Sequence, residues 1–397
     1  MLTTNAMLSS AARGYLDRSM SSFQTGSLDL LLPGGVTVSR EGASPGLAAS
    51  MQVHRWRSFS QVVRRGDIGF AEAYVRGDWD TPNLSDLMSV LAANVDGFES
   101  RFSARGMDRV WSLILHALRR NTKRQSRRNI AAHYDLGNDF YALWLDPSMT
   151  YSSALYTEAA QELEAAQHVK YQRILDEAQL APNSHVLEIG CGWGGFAQQA
   201  AEAGHRVTCV TISPAQHAWA ERRLAPWIRD GAVELRLQDY RDLTGQYDAI
   251  VSIEMFEAVG EQWWSTYMKA LRRLLAPGGR AVVQSITIDD RLFEGYRAHP
   301  DFIQTYIFPG GMLPSPPRFQ AVAEAEGMRV QESLFFGRSY ARTLRDWQDA
   351  FNGAHDDVRA QGFDTEFIRL WNFYFSYCVG GFEAGRTDVA QFTLEVA

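Results

Sequence analysis

The amino-acid sequence predicts an α/β fold: a seven-stranded, mostly parallel sheet covered by helices, with a smaller α+β unit before it. Three observations carry that prediction. From about residue 165 short apolar runs alternate with amphipathic stretches, as a sheet buried on both faces requires. The first of these runs leads straight into three closely spaced glycines. The last two runs fall outside the strand–helix rhythm and predict a closing pair that is not a βαβ unit.

Taken in order, residues 1 to about 25 are small and polar and read as a frayed or loosely docked helix. A first unit then runs to about residue 118. Strands are expected in it at Val36–Ser39 and Met51–Val53, and helices around Phe59–Val63, Phe70–Val75 and Leu84–Ala92. Residues 119–165 read as a basic linker and helical lid, and 166–397 as the domain that holds the large sheet. Its strands are expected at Val186–Ile189, Arg206–Thr211, Val233–Leu237, Asp248–Ile253 and Ala281–Ile286. Helices are expected between them at Gly195–Ala203, Pro214–Leu224 and Trp263–Leu275. Met328–Phe335 and Val389–Val396 complete the seven strands. No internal repeat of solenoid period is present.

Composition narrows the function. The 397 residues are 46% hydrophobic and 21% charged, with a net charge of -7. An anionic chain is repelled by phosphate, which argues against general nucleic-acid binding. Basic residues cluster once, in Arg119–Arg128, which reads RRNTKRQSRR. That stretch is either a solvated linker or a contact with anionic lipid headgroups, worth about 1 kcal/mol per basic residue near a charged surface. Cys191, Cys209 and Cys378 are far apart and form no framework of pairs, which fits a reducing compartment. There is no apolar run of about 18 residues and no signal-peptide pattern, so a cytoplasmic chain with peripheral membrane contact is expected. The histidines and cysteines show no metal-ligand spacing.

The sharpest local signal is Val186-Leu-Glu-Ile-Gly-Cys-Gly-Trp-Gly-Gly195. A buried strand enters Gly190, Gly192 and Gly194 and a helix follows, because the backbone must turn tightly and approach a ligand with no Cβ in the way. The spacing departs from the G-x-G-x-x-G of dinucleotide sites. The second strand ends Val210-Thr211-Ile212-Ser213, without an acid for ribose hydroxyls, so Thr211 and Gln216 are candidates for neutral hydrogen bonds.

That turn, the T-I-S-P-A-Q segment and Leu237–Leu243 together resemble the cyclopropane-fatty-acyl-phospholipid synthase family, which includes the mycolic acid methyltransferases. Further matches are Ala132-His-Tyr-Asp-Leu-Gly-Asn-Asp-Phe140, Tyr151-Ser-Ser-Ala-Leu-Tyr156, Met255-Phe-Glu-Ala-Val-Gly260 and the stretch from Tyr306 to Ser315. The match is strong over roughly residues 125 to 397 and weaker before. It implies a class I, Rossmann-like methyltransferase dependent on S-adenosylmethionine. Its substrates would be unsaturated acyl chains of membrane phospholipids, reached from the inner face of the bilayer, with 1–118 as the lipid-associating domain. Tyr151 and Ser152 would meet the methionine end of the cofactor above Gly190 and Gly192. Thr211 and Gln216 would hold the ribose, and Gln238 and Tyr240 would border the adenine, Tyr240 by its flat face. His133 and Tyr134 would shape the site.

An isolated alkene attacks a sulfonium methyl only when the two are held in line and water is excluded, and the product is a carbocation. Aromatic faces suit that cation, and the segment Phe367–Phe382 is the richest in rings. It reads as a core helix, as the lining of an acyl tunnel, or as both. A base must then take one proton. In the related synthases a bicarbonate ion does so, held by a Cys, a Glu, a His and a Tyr. Glu257 and Tyr340 match the Glu and the Tyr, while Ser153 and Gln284 stand where the Cys and His are usual. Ala258 replaces a frequent His, and Glu254 adds a carboxylate. Repulsion from that carboxylate is expected to weaken bicarbonate binding or raise a neighbouring pKa. Glu254 or Glu257 then becomes the candidate base, and a methyl-branched or methylene chain a candidate product beside the cyclopropane. Cys191 and Cys378 read as packing residues. A methyltransferase for a small soluble substrate and a lipid-binding protein without activity are the competing readings. Double-bond position, headgroup, ring closure and a homodimer are not legible.

Overall fold

The computed structural model describes residues 23–102 and 136–397. The expected N-terminal helix lies almost wholly outside these residues, as do the basic stretch Arg119–Arg128 and the pair His133 and Tyr134. The chain divides into two compact units, 1–115 with 299–307 and 355–386, and 116–298 with 308–354 and 387–397. Two pieces of the stretch 166–397 therefore cluster with the N-terminal residues.

The first unit holds a four-stranded sheet of order β2-β1-β3-β4, with β1 Thr25–Leu32, β2 Val36–Glu41, β3 Ser44–Val53 and β4 Trp79–Asp80. Strand β1 was not foreseen; it buries Leu28, Leu30 and Leu32 on one face, the period-two pattern of a half-buried strand. The two helices expected around 59–63 and 70–75 form one segment, Arg57–Val75, broken inside at Gly66, where φ is 55°. The ring-rich helix Thr365–Glu383 packs within this unit. Phe373 meets Phe302 at 4.8 Å and Phe70 at 6.1 Å between ring centroids. A Cβ on Gly380 would stand 2.7 Å from the Met88 carbonyl, so only glycine lets this helix approach Leu84–Phe102 so closely.

The second unit holds the seven-stranded sheet, order β10-β11-β9-β8-β5-β6-β7. Its strands are β5 His185–Ile189, β6 Arg206–Thr211, β7 Val233–Leu237, β8 Tyr247–Ile253, β9 Leu275–Ile288, β10 Met328–Phe335 and β11 Thr387–Val396. All pairs are parallel except those of β11, which runs antiparallel to both β9 and β10. The strand order reverses between β5 and β8. In an open α/β sheet that reversal opens a crevice at the carboxyl ends of the strands, the ordinary place for a ligand. Helix Leu163–Ala178 lies on the sheet by the face Ala166, Gln167, Lys170, Tyr171, Ile174, Leu175 and Ala178. Among the described residues no helix is long and apolar enough to cross a membrane.

Candidate active site

The glycine turn leaves the carboxyl end of β5. Gly190, Gly192 and Gly194 all have positive φ, 84°, 51° and 85°. The backbone N–H groups of Gly190 and Cys191 both donate to the Val210 carbonyl, tying the turn to β6. A Cβ on Gly190 would come within 2.9 Å of the Met255 Cγ, whereas one on Gly192 would meet no protein atom within 4 Å. Gly190 is thus dictated by the loop after β8, and Gly192 faces open space. The Cys191 thiol is buried, unpaired and held protonated by Cys209 and by burial, in keeping with packing.

At the end of β6 the Thr211 hydroxyl donates to Gln216 Oε1 at 3.0 Å, and the Ser213 N–H donates to Thr211 at 3.2 Å. Gln238 follows β7, its N–H on the Thr211 carbonyl, and Tyr240 opens the next short turn, edge-on to Tyr267 at 5.6 Å. These four residues stand at the carboxyl ends of β6 and β7 and carry neutral hydrogen-bonding groups and a ring. Tyr151 lies in an aromatic cluster with Trp347 at 5.3 Å, Tyr141 at 5.4 Å and Trp144 at 5.5 Å. The turn and its neighbours fit an adenosyl cofactor: a backbone bend without side chains, polar groups for two hydroxyls, and a flat ring.

The acidic part of the site lies after β8. Glu254 has φ 49°, a left-handed conformation that a non-glycine residue adopts only at a cost. The reversal aims its carboxylate at three donors. Oε1 accepts from the Ser153 N–H at 2.9 Å and from Gln284 Nε2 at 2.7 Å, and Oε2 accepts from the Tyr340 hydroxyl at 2.6 Å. Ser153, expected to act by its side chain, offers its main chain instead; its hydroxyl donates to the Ala154 carbonyl. Burial raises the Glu254 pKa, opposed by the Tyr340 and Gln284 hydrogen bonds and by the charge of Lys170.

Glu257 is one turn on. Its Oε1 accepts from the Ser285 hydroxyl and the Ile286 N–H, while its Oε2 is shut off from solvent without a hydrogen-bond partner. Burial first, and the Glu254 charge second, push its pKa up to about 8. The effect expected of a second carboxylate is therefore present, and it favours the protonated form of Glu257.

Several residues of this site escaped the sequence reading. Lys170 is fully buried and donates to the Ser152 hydroxyl at 2.7 Å; burial brings its pKa down to about 7 against the pull of Glu254, Asp146 and Glu188. Gln167 donates to the Ser152 carbonyl at 3.0 Å. Glu188, the acid of the glycine motif, is buried and raised to about 8 by desolvation. Arg173 Nη1 donates to Gln391 Oε1 at 2.7 Å, and Gln391 Nε2 donates to Gln284 Oε1 at 3.0 Å. Because an arginine can only donate, this chain fixes both amides and turns the Gln284 NH2 toward Glu254. A signal for Lys170 was available: it falls on the apolar face of its helix by i, i+3, i+4 spacing. Among the described residues no cluster of three or more His, Cys, Asp or Glu side chains is placed to hold a metal ion.

Comparison with known proteins adds the relatives. Residues 121–392 match the family described as mycolic acid cyclopropane synthetase. The tuberculostearic acid methyltransferase of Mycobacterium tuberculosis is 40% identical over 362 residues, 89% of this chain and 84% of that one. The cyclopropane-fatty-acyl-phospholipid synthase of Escherichia coli is 34% identical over 366 residues, 91% of each chain. A crystal structure of a mycolic acid cyclopropane synthase complexed with SAH and CTAB superposes with a TM-score of 0.63 at 30% identity, covering 68% of this chain and 97% of that one.

Proposed function

This chain belongs to the mycolic acid cyclopropane synthetase family and is an S-adenosylmethionine-dependent methyltransferase, and we propose that it alkylates the double bond of unsaturated acyl chains of membrane phospholipids. The observation that carries this reading is the pairing of a half-buried, hydrogen-bonded carboxylate at Glu254 with the rings of Tyr340, Trp347 and Tyr151. An alkene needs no base before it attacks, but its product is a cation that needs electron-rich faces and then a proton acceptor. Both are within one cluster of side chains.

In this reading Gly190 and Gly192 lie beneath the methionine end of the cofactor, with Gly192 leaving it room, while Thr211 and Gln216 bind its ribose, Gln238 and Tyr240 border its adenine, and Tyr151 and Ser152 meet its methionine end. The cofactor supplies an electrophilic methyl group. The aromatic wall excludes water from the reacting carbons, and Lys170 orients Ser152 and offsets the charge of Glu254. Residues 1–118 are assigned to lipid docking, 119–165 to a linker and lid, and 166–397 to catalysis. The enzyme is placed at the inner face of the membrane as a peripheral protein. The relatives named for a phospholipid synthase and a fatty-acid-type methyl transfer support the substrate class.

The test is direct. Purified protein with methyl-labelled cofactor is incubated with vesicles of a monounsaturated phospholipid and, separately, of a saturated one. Label in the unsaturated acyl chain, as a gain of one CH2, is expected; label confined to soluble amines would assign the chain to another substrate.

A further inference from the structure

We propose that the Glu254 carboxylate is itself the base that takes the proton from the alkylated carbon skeleton, so that this enzyme needs no dissolved bicarbonate. The inference rests on the reading of the chain as an alkene methyltransferase. Four observations carry it. First, the backbone N–H of Ser153, the amide of Gln284 and the hydroxyl of Tyr340 converge on the two oxygens of one carboxylate, and that carboxylate is supplied by the chain. Three of the positions at which a small oxyanion would be expected are thus committed to Glu254. Second, the donor on Oε1 is locked by the series Arg173, Gln391 and Gln284, which is buried through both glutamines. Third, Glu254 keeps a φ of 49°, where glycine would be free of strain. A strained residue persists where the surroundings impose it, and such residues gather at functional positions. Fourth, the loop that carries Glu254 also carries Met255, which lies against Gly190 of the glycine turn, so the acid belongs to the loop packed on that turn.

The neighbouring acid does not compete for the role. Glu257 has one oxygen satisfied by Ser285 and Ile286 and the other closed off without a partner, which suits a protonated carboxyl. Glu254 has three donors on its two oxygens, and these hydrogen bonds favour its ionised form against the burial that raises its pKa.

The step balances as follows. After methyl transfer the chain holds a new C–C bond and a neighbouring carbocation. A C–H bond of the transferred carbon breaks and its proton goes to a Glu254 oxygen. The electron pair left behind closes the ring C–C bond or, where a 1,2-hydride shift has first moved the cation to the methyl-bearing carbon, forms the C=C bond of a methylene branch. The protonated Glu254 then releases its proton to solvent between turnovers.

Three proteins test the idea: wild type, Glu254→Gln and Glu254→Gly. The glycine variant relieves the positive φ and opens the cradle, and the glutamine variant keeps the shape without a base. In CO2-depleted buffer wild type is expected to keep its rate, within about twofold of the rate with added bicarbonate. Both variants are expected to fall by about 100-fold or more, the range of a lost general base. Added bicarbonate is expected to restore the glycine variant by about tenfold or more and to leave the glutamine variant low. A second readout does not depend on turnover: 13C NMR of labelled bicarbonate should show binding to Glu254→Gly and none to wild type. Bicarbonate bound by wild type, a wild-type rate that collapses without CO2, or a Glu254→Gln variant of normal rate would overturn the proposal. Should wild type methylate no alkene at all, the substrate reading fails, while the NMR comparison still decides whether Glu254 fills the anion cradle.

Discussion

At the scale of single residues, the site is a set of hydrogen bonds whose directions are forced. Arg173 has no acceptor, so Gln391 must present its oxygen to it and its NH2 to Gln284, which in turn must present its NH2 to Glu254. Gln391 thus acts on Glu254 through another residue and is a positioning group. Replacing it by leucine, Gln391→Leu, frees the Gln284 amide to turn its oxygen toward the carboxylate. A hydrogen bond to a charged group contributes about 1.5–3 kcal/mol, so kcat should fall by roughly tenfold or more while KM for the cofactor holds. The sign of the pH effect follows from the same bond. Gln284 lowers the Glu254 pKa, so losing it raises that pKa and moves the rising limb of the kcat profile to higher pH. An unshifted profile with a reduced melting temperature would mean that Gln391 serves packing alone. Sequence reading singled out Glu254, Glu257, Tyr340 and Gln284 through the family resemblance, and the structure brings Tyr340 and Gln284 onto the Glu254 carboxylate. That reading missed Gln391 and Lys170, because their part depends on which face of a distant element meets the site, and no local pattern encodes that for Gln391.

At the scale of elements, the bend after β5 separates two demands that the sequence shows only as glycines. Gly190 combines positive φ with a Met255 side chain where its Cβ would be, while Gly192 combines positive φ with open space. Alanine at either position costs about 1–2 kcal/mol for the left-handed backbone. Only at 190 does it also strike a protein neighbour. Gly190→Ala should therefore lower the melting temperature more than Gly192→Ala, and adding Met255→Ala should recover part of that difference. Gly192→Ala should instead lose affinity for S-adenosylhomocysteine by about tenfold or more, since the added methyl points where protein does not. Calorimetric titration and thermal melts on the same samples check both; equal melts and equal affinities would show that the bend does not divide the two tasks. The large sheet was legible nearly strand by strand, because buried parallel strands carry unbroken apolar runs. Strand β1 was not, since Thr25–Leu32 begins in polar residues and its three inward leucines are followed by a tight turn rather than a helix. The break at Gly66 made one helix read as two.

At the scale of the whole molecule, the compact units are not contiguous in sequence: residues 299–307 and 355–386 cluster with the N-terminal residues. Contiguity is all that a linear reading can use, whereas the aromatic helix Thr365–Glu383 joins the unit in which its rings find Phe70, Tyr74 and Phe302. The two units nevertheless share one electrostatic property. In the first, loss of water and the charge of Asp67 push Asp301 up to about 7. In the second, burial pushes Glu188 and Glu257 up to about 8. A carboxyl whose folded pKa is raised stabilises the fold most fully below its unfolded pKa, and that contribution is lost as pH rises through the folded value. The loss therefore runs between about pH 4.5 and about pH 8 for the two glutamates. Lys170 works the other way, but only above its folded value of about 7, where the unfolded chain holds the proton that the folded one has released. The lowered histidines His185, His205 and His355 add stability with rising pH only up to their ordinary value of 6.5. From pH 6.5 to 7 the three raised acids outweigh the fading contribution of the histidines and the onset of that of Lys170, and the melting temperature should fall with rising pH. Glu188→Gln should flatten that slope without abolishing it, because Asp301 and Glu257 still titrate. Should the units melt in separate transitions, Asp301→Asn should flatten the one and Glu188→Gln the other. A melting temperature that climbs over this interval would mean that these carboxyls are ionised in the folded protein at neutral pH, and would return Glu257 to candidacy as a base.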